Sequence, residues 1–297
     1  MEIEVKDFDL KSTILSGACF RVIEETDGSF TNILKDRVIN IKQINNELIV
    51  TSSKKDNLEE IIKEYFDLNR DYNIINQELI NNDKNMIEVI SKCKGYKILN
   101  QEPFEMCISY IISQNNNVKR ISNSINDISN KYGKKVIFNN KEYHLFPTYD
   151  DMKNISIEEL RNFKVGFRAE YIKDFLDKYE TLKDINSLNT NDALNELMTI
   201  KGIGIKVASC ILLFGYKRLD TFPIDTWVKK SISELYNIKN DQKTIEKELC
   251  RLADEEQCAL ILTTGGTGFS KRDVTPEATL AVADRNAPGI AEAIRAY

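Results

Sequence analysis

The stretch from Leu194 to Tyr216, LNELMTIKGIGIKVASCILLFGY, constrains this chain more than any other. Two runs with apolar residues at helical spacing flank the turn KGIG, which predicts two helices reversing direction through a short hairpin. Gly202 and Gly204 supply the backbone angles and close approach that such a reversal requires. The second helix then starts with unsatisfied N–H groups and the positive end of its dipole, a ready phosphate site. Lys206 lies one turn in, where positive potential and partial burial favour a neutral, nucleophilic amine. Taken alone, a lysine at a helix start is more simply a phosphate contact or a solvated charge. Asp225 follows in FPIDTW, either as a carboxylate partner for that lysine or as a helix N-cap before Thr226.

The totals remove several chemistries. A chain of 297 residues is long enough for about two domains with a substantial core. No run is long enough to span a membrane, and the first ten residues hold no signal-peptide core, so a cytoplasmic protein is expected. The net charge of -5 disfavours non-specific attraction to polyanions. A local basic groove from Lys119, Arg120, Arg168, Lys201, Lys206, Lys229 and Lys230 stays open, beside the plainer reading of solvated surface charges. The 6 cysteines form no C-x-x-C pair and no zinc or iron–sulfur spacing, so no metal and no cofactor is expected. A Ser–His–Asp or Cys–His hydrolase would rest entirely on His144, the 1 histidine.

In chain order, residues 8–53 read as a β-meander, with FRVIE, FTNIL, VINIKQI and ELIVTS separated by turn signals at Asp27-Gly28 and Asn45-Asn46. Leu58 to Leu68 has helical spacing, and residues 69–97 suggest a short connecting helix with loops. From Pro103 the character is helical, with Phe104, Cys107, Ile108, Ile111 and Ile112 on one face, then a second helix over Val118 to Tyr132. Ser156 with Glu159 suggests a capping box, and helices follow from Arg168 to Tyr179 and from Thr226 to Tyr236. The fold class expected is α+β: an N-terminal antiparallel β domain over residues 1–97, an all-α domain over 98–252, and a short α/β-like tail over 253–297.

KGIGIKVASC followed by FPIDTW resembles the helix-hairpin-helix DNA glycosylase superfamily. LSGACFR at Leu15 to Arg21, the asparagines after ISQ, and VGFRAEY at Val165 to Tyr171 narrow the likeness to the 8-oxoguanine DNA glycosylase/lyase branch. The resemblance implies a monomer acting on double-stranded DNA that contains oxidised guanine, associated with the nucleoid through that binding. It implies Lys206 as Schiff-base nucleophile and Asp225 as its partner. Gly17 matches the glycine whose carbonyl reads the N7 hydrogen of 8-oxoguanine, and Cys210 matches a residue lining the base pocket. Asn115, Arg120 and Arg168 match residues around the orphaned cytosine, and Phe167 matches an aromatic wedge. Gly202 and Gly204 belong to the DNA-gripping hairpin. Trp227 departs from the family, whose best-known members carry a phosphate-holding histidine there.

The tail differs in kind. Alanine occurs at 4 positions up to Leu252 and at 9 from Ala253 onward. ALILTTGGTGFSKRDVTPEAT resembles molybdopterin adenylyltransferases, with Gly265-Gly266-Thr267-Gly268 as a phosphate cradle and Asp273 matching a catalytic aspartate. The segment is too short to enclose its own core, so a chimera without a complete cofactor-synthesis site is expected. It also replaces the helix that lends a base-stacking aromatic in this branch, so impaired base discrimination is expected. Three alternatives to the 8-oxoguanine reading stay open: a related glycosylase of other lesion specificity, a non-catalytic DNA-binding module, and molybdopterin binding through the tail.

Overall fold

The computed structural model describes residues 1–235, together with 247, 250, 251, 254, 281 and 282. It comprises two compact units, Met1–Ile224 and Asp225–Tyr297.

The first unit opens with an antiparallel sheet built from β1 (Glu2–Glu4), β2 (Ile23–Glu24), β3 (Phe30–Leu34), β4 (Arg37–Ile44) and β5 (Glu47–Ser52) in the order β1-β5-β4-β3-β2. The meander follows the predicted turns: Gly28 and Asn45 both take positive φ, at 79° and 51°. Val38, Ile39, Ile41, Leu48 and Val50 are essentially inaccessible, so β4 and β5 hold the middle of this layer. Two elements carry too little periodicity to be read from sequence. β1 is an edge strand of three residues with Ile3 inward. α1 (Leu10–Ile14) occupies the start of the expected meander, fixed by Asp9, whose Oδ1 accepts from Ser12 N–H at 2.6 Å. FRVIE accordingly yields only the two residues of β2.

α2 (Leu58–Tyr65) packs on the sheet through Leu58, Ile62 and Tyr65. Where one connecting helix was expected there are two, α3 (Tyr72–Asn82) and α4 (Met86–Lys92), neither with a fully buried residue. Neither has a core-facing stripe, so their number and bounds are not readable from apolar spacing.

The helical layer comprises α5 (Pro103–Ser113), α6 (Val118–Tyr132), α7 (Tyr149–Met152), α8 (Ile157–Asn162), α9 (Arg168–Lys178), α10 (Thr190–Met198) and α11 (Ile205–Gly215). α6 and α9 begin at their predicted residues. Ser156 Oγ accepts from Glu159 N–H at 3.1 Å, but the reciprocal capping box forms at Thr148 and Asp151 instead. An unforeseen hairpin, β6 (Lys135–Phe138) with β7 (Lys141–His144), turns at Asn139-Asn140, both at positive φ.

α5 and α11 are the buried axis of this layer, with Met106 to Ile112 and Val207 to Leu213 almost wholly enclosed. Gly215 lets them approach: a Cβ there would lie 3.2 Å from Pro103 Cα and 3.3 Å from Met106 Cβ. Phe214 packs against both the helical core and the core under the sheet, so the two layers share a side chain.

In the second unit, α12 (Thr226–Leu235) starts at its predicted residue. The expected continuation to Tyr236 and the motifs at Gly265 to Gly268, Asp273 and Thr275-Pro276 lie outside the described residues. Among those described, no helix is long and apolar enough to cross a membrane.

Candidate active site

The hairpin forms between α10 and α11. Gly202 has φ of 81°, and a Cβ on it would overlap the Tyr171 ring, so conformation and space both demand glycine. Gly204 is different. Its φ is -95°, and no atom of the described residues lies within 4 Å of the Cβ position. The space beside it is open, which suits close approach by something outside the chain. Lys201 ties the hairpin to α9: its N–H donates to Asp174 Oδ2 at 2.7 Å and its Nζ bonds Glu170 at 3.1 Å. Burial alone would raise the Asp174 carboxyl, but bonds from Lys178 and from the Lys201 backbone hold it below the usual range.

Lys206 is half-buried in the first turn of α11, its Nζ 6.0 Å from the centre of the Tyr110 ring. Cys210 and Phe214 follow at intervals of four, so the three form one stripe along the helix. Cys210 is buried, 4% exposed.

Gly17 is exposed in the loop after α1, with φ of 85° and no atom of the described residues within 4 Å of its Cβ position. The next four residues, Ala18 to Arg21, are all buried and anchor it. Gln101 joins this loop to α11: its Nε2 donates to Ala18 O at 2.9 Å, and its backbone N–H donates to Phe214 O at 2.7 Å. The Arg21 guanidinium donates to His144 O, while its buried Nε and Nη1 have no hydrogen-bond partner among the described residues. Burial pushes the Glu105 carboxyl, in the first turn of α5, up to about 7; Arg21 pulls it down and Glu102 adds to the rise.

Beyond α5, Asn115 sits exposed at φ of 47°. Arg168 is buried and turned inward: Nε and Nη2 both donate to Gln114 O, Nη2 also to Asn115 O at 2.9 Å, and Nη1 to Val165 O at 3.1 Å. Arg168 therefore holds the Asn115 loop through its backbone. Burial, then repulsion from Arg120, lowers the Arg168 pKa. Arg120 itself is exposed. Phe167 projects 53% exposed, with the Arg168 guanidinium 4.5 Å from its ring centre and Tyr171 against its edge.

Asp225 and Trp227 belong to the second unit. Asp225 Oδ1 accepts from Val228 N–H at 2.8 Å, so this carboxylate caps α12. Trp227 is 72% exposed, with Lys230 Nζ 5.7 Å from its ring centre. Within the first unit the geometry places Lys206, Cys210 and Tyr110 together, and Asn115 with Arg168. Sequence reading missed Tyr110, because α5 is buried on nearly every side and an apolar-face pattern gave it no distinction.

Gly202→Ala should destabilise the fold by about 2 kcal/mol or more, adding ring overlap to the cost of a positive φ; a melting temperature within error of wild type would contradict it. For Glu105, a folded pKa of about 7 lies above its ordinary 4.5, so the folded chain holds a proton that the unfolded chain releases between those values. That contribution is fully present below the lower value and lost as pH rises through the upper one. The fall in melting temperature from pH 5 to pH 8 should therefore be smaller in Glu105→Gln than in wild type, and an equal fall would rule this out.

Residues 1–107 match the family described as 8-oxoguanine DNA glycosylase, N-terminal domain, and residues 108–255 the HhH-GPD superfamily of base excision DNA repair proteins. Residues 231–297 match a probable molybdopterin binding domain. A probable N-glycosylase/DNA lyase of Methanothermobacter thermautotrophicus is 29% identical, over 92% of this chain and 98% of that protein. The apo 8-oxoguanine glycosylase/lyase of Clostridium acetobutylicum is 36% identical with a TM-score of 0.74, over 80% of this chain and 87% of that one. Its complex with double-stranded DNA containing cytosine opposite 8-oxoG gives the same score. At the other end, the molybdopterin adenylyltransferase of Escherichia coli (strain K12) is 46% identical over 77 residues, 24% of this chain and 40% of that protein. The chain thus spans less than half of that relative's length.

Proposed function

This chain belongs to the helix-hairpin-helix superfamily of base excision DNA repair proteins, and from that premise we propose that it excises 8-oxoguanine from double-stranded DNA and cleaves the abasic strand. The observation that carries the reading is a half-buried lysine in the first turn of α11, behind a hairpin whose outer glycine faces open space. Likeness to an enzyme solved with an 8-oxoG·C duplex supports the substrate.

The C1′ atom is hidden in the duplex, so the nucleotide is first turned out of the stack, at a cost of a few kcal/mol offset by pocket contacts. The neutral Lys206 amine attacks C1′ and the bond to the base breaks, the base leaving with the electron pair and acquiring a proton. Loss of the amine proton and opening of the sugar ring give an iminium. Abstraction of a C2′ proton then expels the 3′ phosphate by β-elimination. Asp225 supplies negative charge where the sugar becomes cationic, a task compatible with capping α12 because a capping carboxylate is rigidly placed. Gly17 and Cys210 contact the base, while Asn115, Arg120 and Phe167 act at the gap left in the duplex, with Arg168 holding their loop. Gly204 and the α11 N-terminus receive a phosphate, Trp227 packs on a sugar, and the enzyme acts as a monomer in the cytoplasm.

The C-terminal likeness covers too little of the adenylyltransferase to bring its activity along, and adenylyl transfer to molybdopterin should be undetectable; measurable turnover would overturn that part. For the repair reaction, borohydride should trap wild type covalently on an 8-oxoguanine duplex. Lys206→Gln should give no adduct while still binding, and Asp225→Asn should excise about 10²–10³-fold more slowly, the range for losing one preorganised electrostatic group. Binding without any adduct in wild type would favour a DNA-binding module instead.

A further inference from the structure

The peptide that follows Gly17 is held by bonds the proposed chemistry leaves unused. Gly17 is exposed at φ of 85°. Glycine takes positive and negative φ about equally, so the residue itself does not fix how its peptide is turned. The Gly17 carbonyl and the Ala18 N–H belong to one planar trans unit, so a bond that fixes the N–H also aims the oxygen, the opposite way. Ser16 Oγ accepts from that N–H at 3.4 Å. The next carbonyl along, Ala18 O, accepts from Gln101 Nε2 at 2.9 Å. The exposed glycine is therefore followed by two directed hydrogen bonds, and Ala18 between them is buried.

Gln101 is presented by a backbone with its own anchors. Asn100 N–H donates to Tyr65 O at 2.8 Å and Asn100 Nδ2 to Glu64 O, also at 2.8 Å, so the preceding residue is tied to the end of α2. The backbone N–H of Gln101 donates to Phe214 O at 2.7 Å, and Glu102 and Pro103 begin α5 directly afterwards. The backbone bond reaches the helix that carries Lys206, while the side-chain bond reaches only the Gly17 loop. Joining two layers needs no such amide, since Phe214 already does it by packing. A donor set on the carbonyl beside an exposed glycine adds what packing cannot, a fixed orientation of the peptide.

We propose that Gln101, together with Ser16, is a positioning residue for base recognition: the two hydrogen bonds keep the Gly17 carbonyl turned toward the extruded base. The inference rests on the glycosylase reading above, in which Gly17 contacts that base. A carbonyl accepts and cannot donate, so in this orientation it favours a base that presents an N–H over one that presents a lone pair. Attack by Lys206 on an abasic sugar needs no such reading. Its geometry survives a change of the 101 side chain, because the bond to Phe214 O comes from the backbone.

The test compares wild type with Gln101→Met, which keeps the length of the side chain without its donor, and with Ser16→Ala. Each is followed in single turnover on a duplex carrying 8-oxoguanine opposite cytosine and on one carrying a preformed abasic site, with melting temperature as a check on folding. The ratio of excision to abasic-strand cleavage should fall roughly 3–10-fold in Gln101→Met and about 2-fold or more in Ser16→Ala, as for losing one hydrogen bond. An unchanged ratio in Gln101→Met would overturn the proposal, whether both rates hold or both fall together, because a packing role moves them alike. Should Gln101→Met fail to melt cooperatively, the exposed Ser16 decides: an unchanged ratio in Ser16→Ala overturns it equally. Wild type that cleaves the abasic duplex but excises no 8-oxoguanine would overturn the substrate reading and this inference with it. Wild type that excises, matched by both variants, would overturn the inference alone.

Discussion

The close contact of α5 with α11 sets the position of nearly everything the site uses. Gly215 allows it, since any side chain there would press on Pro103 and Met106. Once the two helices are that close, Tyr110 stacks on Phe214, and the Lys206–Cys210–Phe214 stripe acquires a fixed wall. The residues flanking α5 extend the reference frame. Gln101, just before it, bonds the Gly17 loop on one side and Phe214 O on the other. Gln114 and Asn115, just after it, are gripped by Arg168 from α9. A loop from the sheet layer, a loop from the helical layer and the candidate nucleophile are thus all measured from one helix pair.

Buried cations carry much of this placement. Arg168 and Arg21 each cross from one segment to the backbone carbonyl of another, and a guanidinium suits the task because its donors form a rigid planar fork. Arg168 is satisfied, with bonds to three carbonyls. Arg21 is not: two of its nitrogens lack partners among the described residues, and Glu105 holds the nearby countercharge only at the cost of its own burial. The loop that presents Gly17 therefore rests on a polar cluster sensitive to the protonation of one carboxyl.

Much of the fold was legible because the elements that matter most carry strong signals. The hairpin glycines, the Asp27-Gly28 and Asn45-Asn46 turns, and the apolar spacing of α6 and α9 each state a backbone requirement locally. β1, α1 and the β6–β7 hairpin were not legible, being three to five residues long or turned by an Asn-Asn pair in an asparagine-rich chain. The site divides along the same line. Motifs single out Lys206, Cys210 and Gly17, whereas the inward turn of Arg168 and the stacking of Tyr110 on Phe214 depend on long-range packing. Gly204 shows the limit of motif reading: its glycine is not needed by the turn, and only its open surroundings give it a purpose.

The central claim is that the Lys206 amine bonds to the sugar. Its most direct measurement is mass spectrometric mapping of the borohydride-reduced complex formed on an 8-oxoguanine duplex. The account predicts a single deoxyribose-derived adduct on the peptide that contains Lys206, located on its Nζ. An adduct on Lys201 or on the terminal amine would contradict it, as would excision that leaves no reducible intermediate at all.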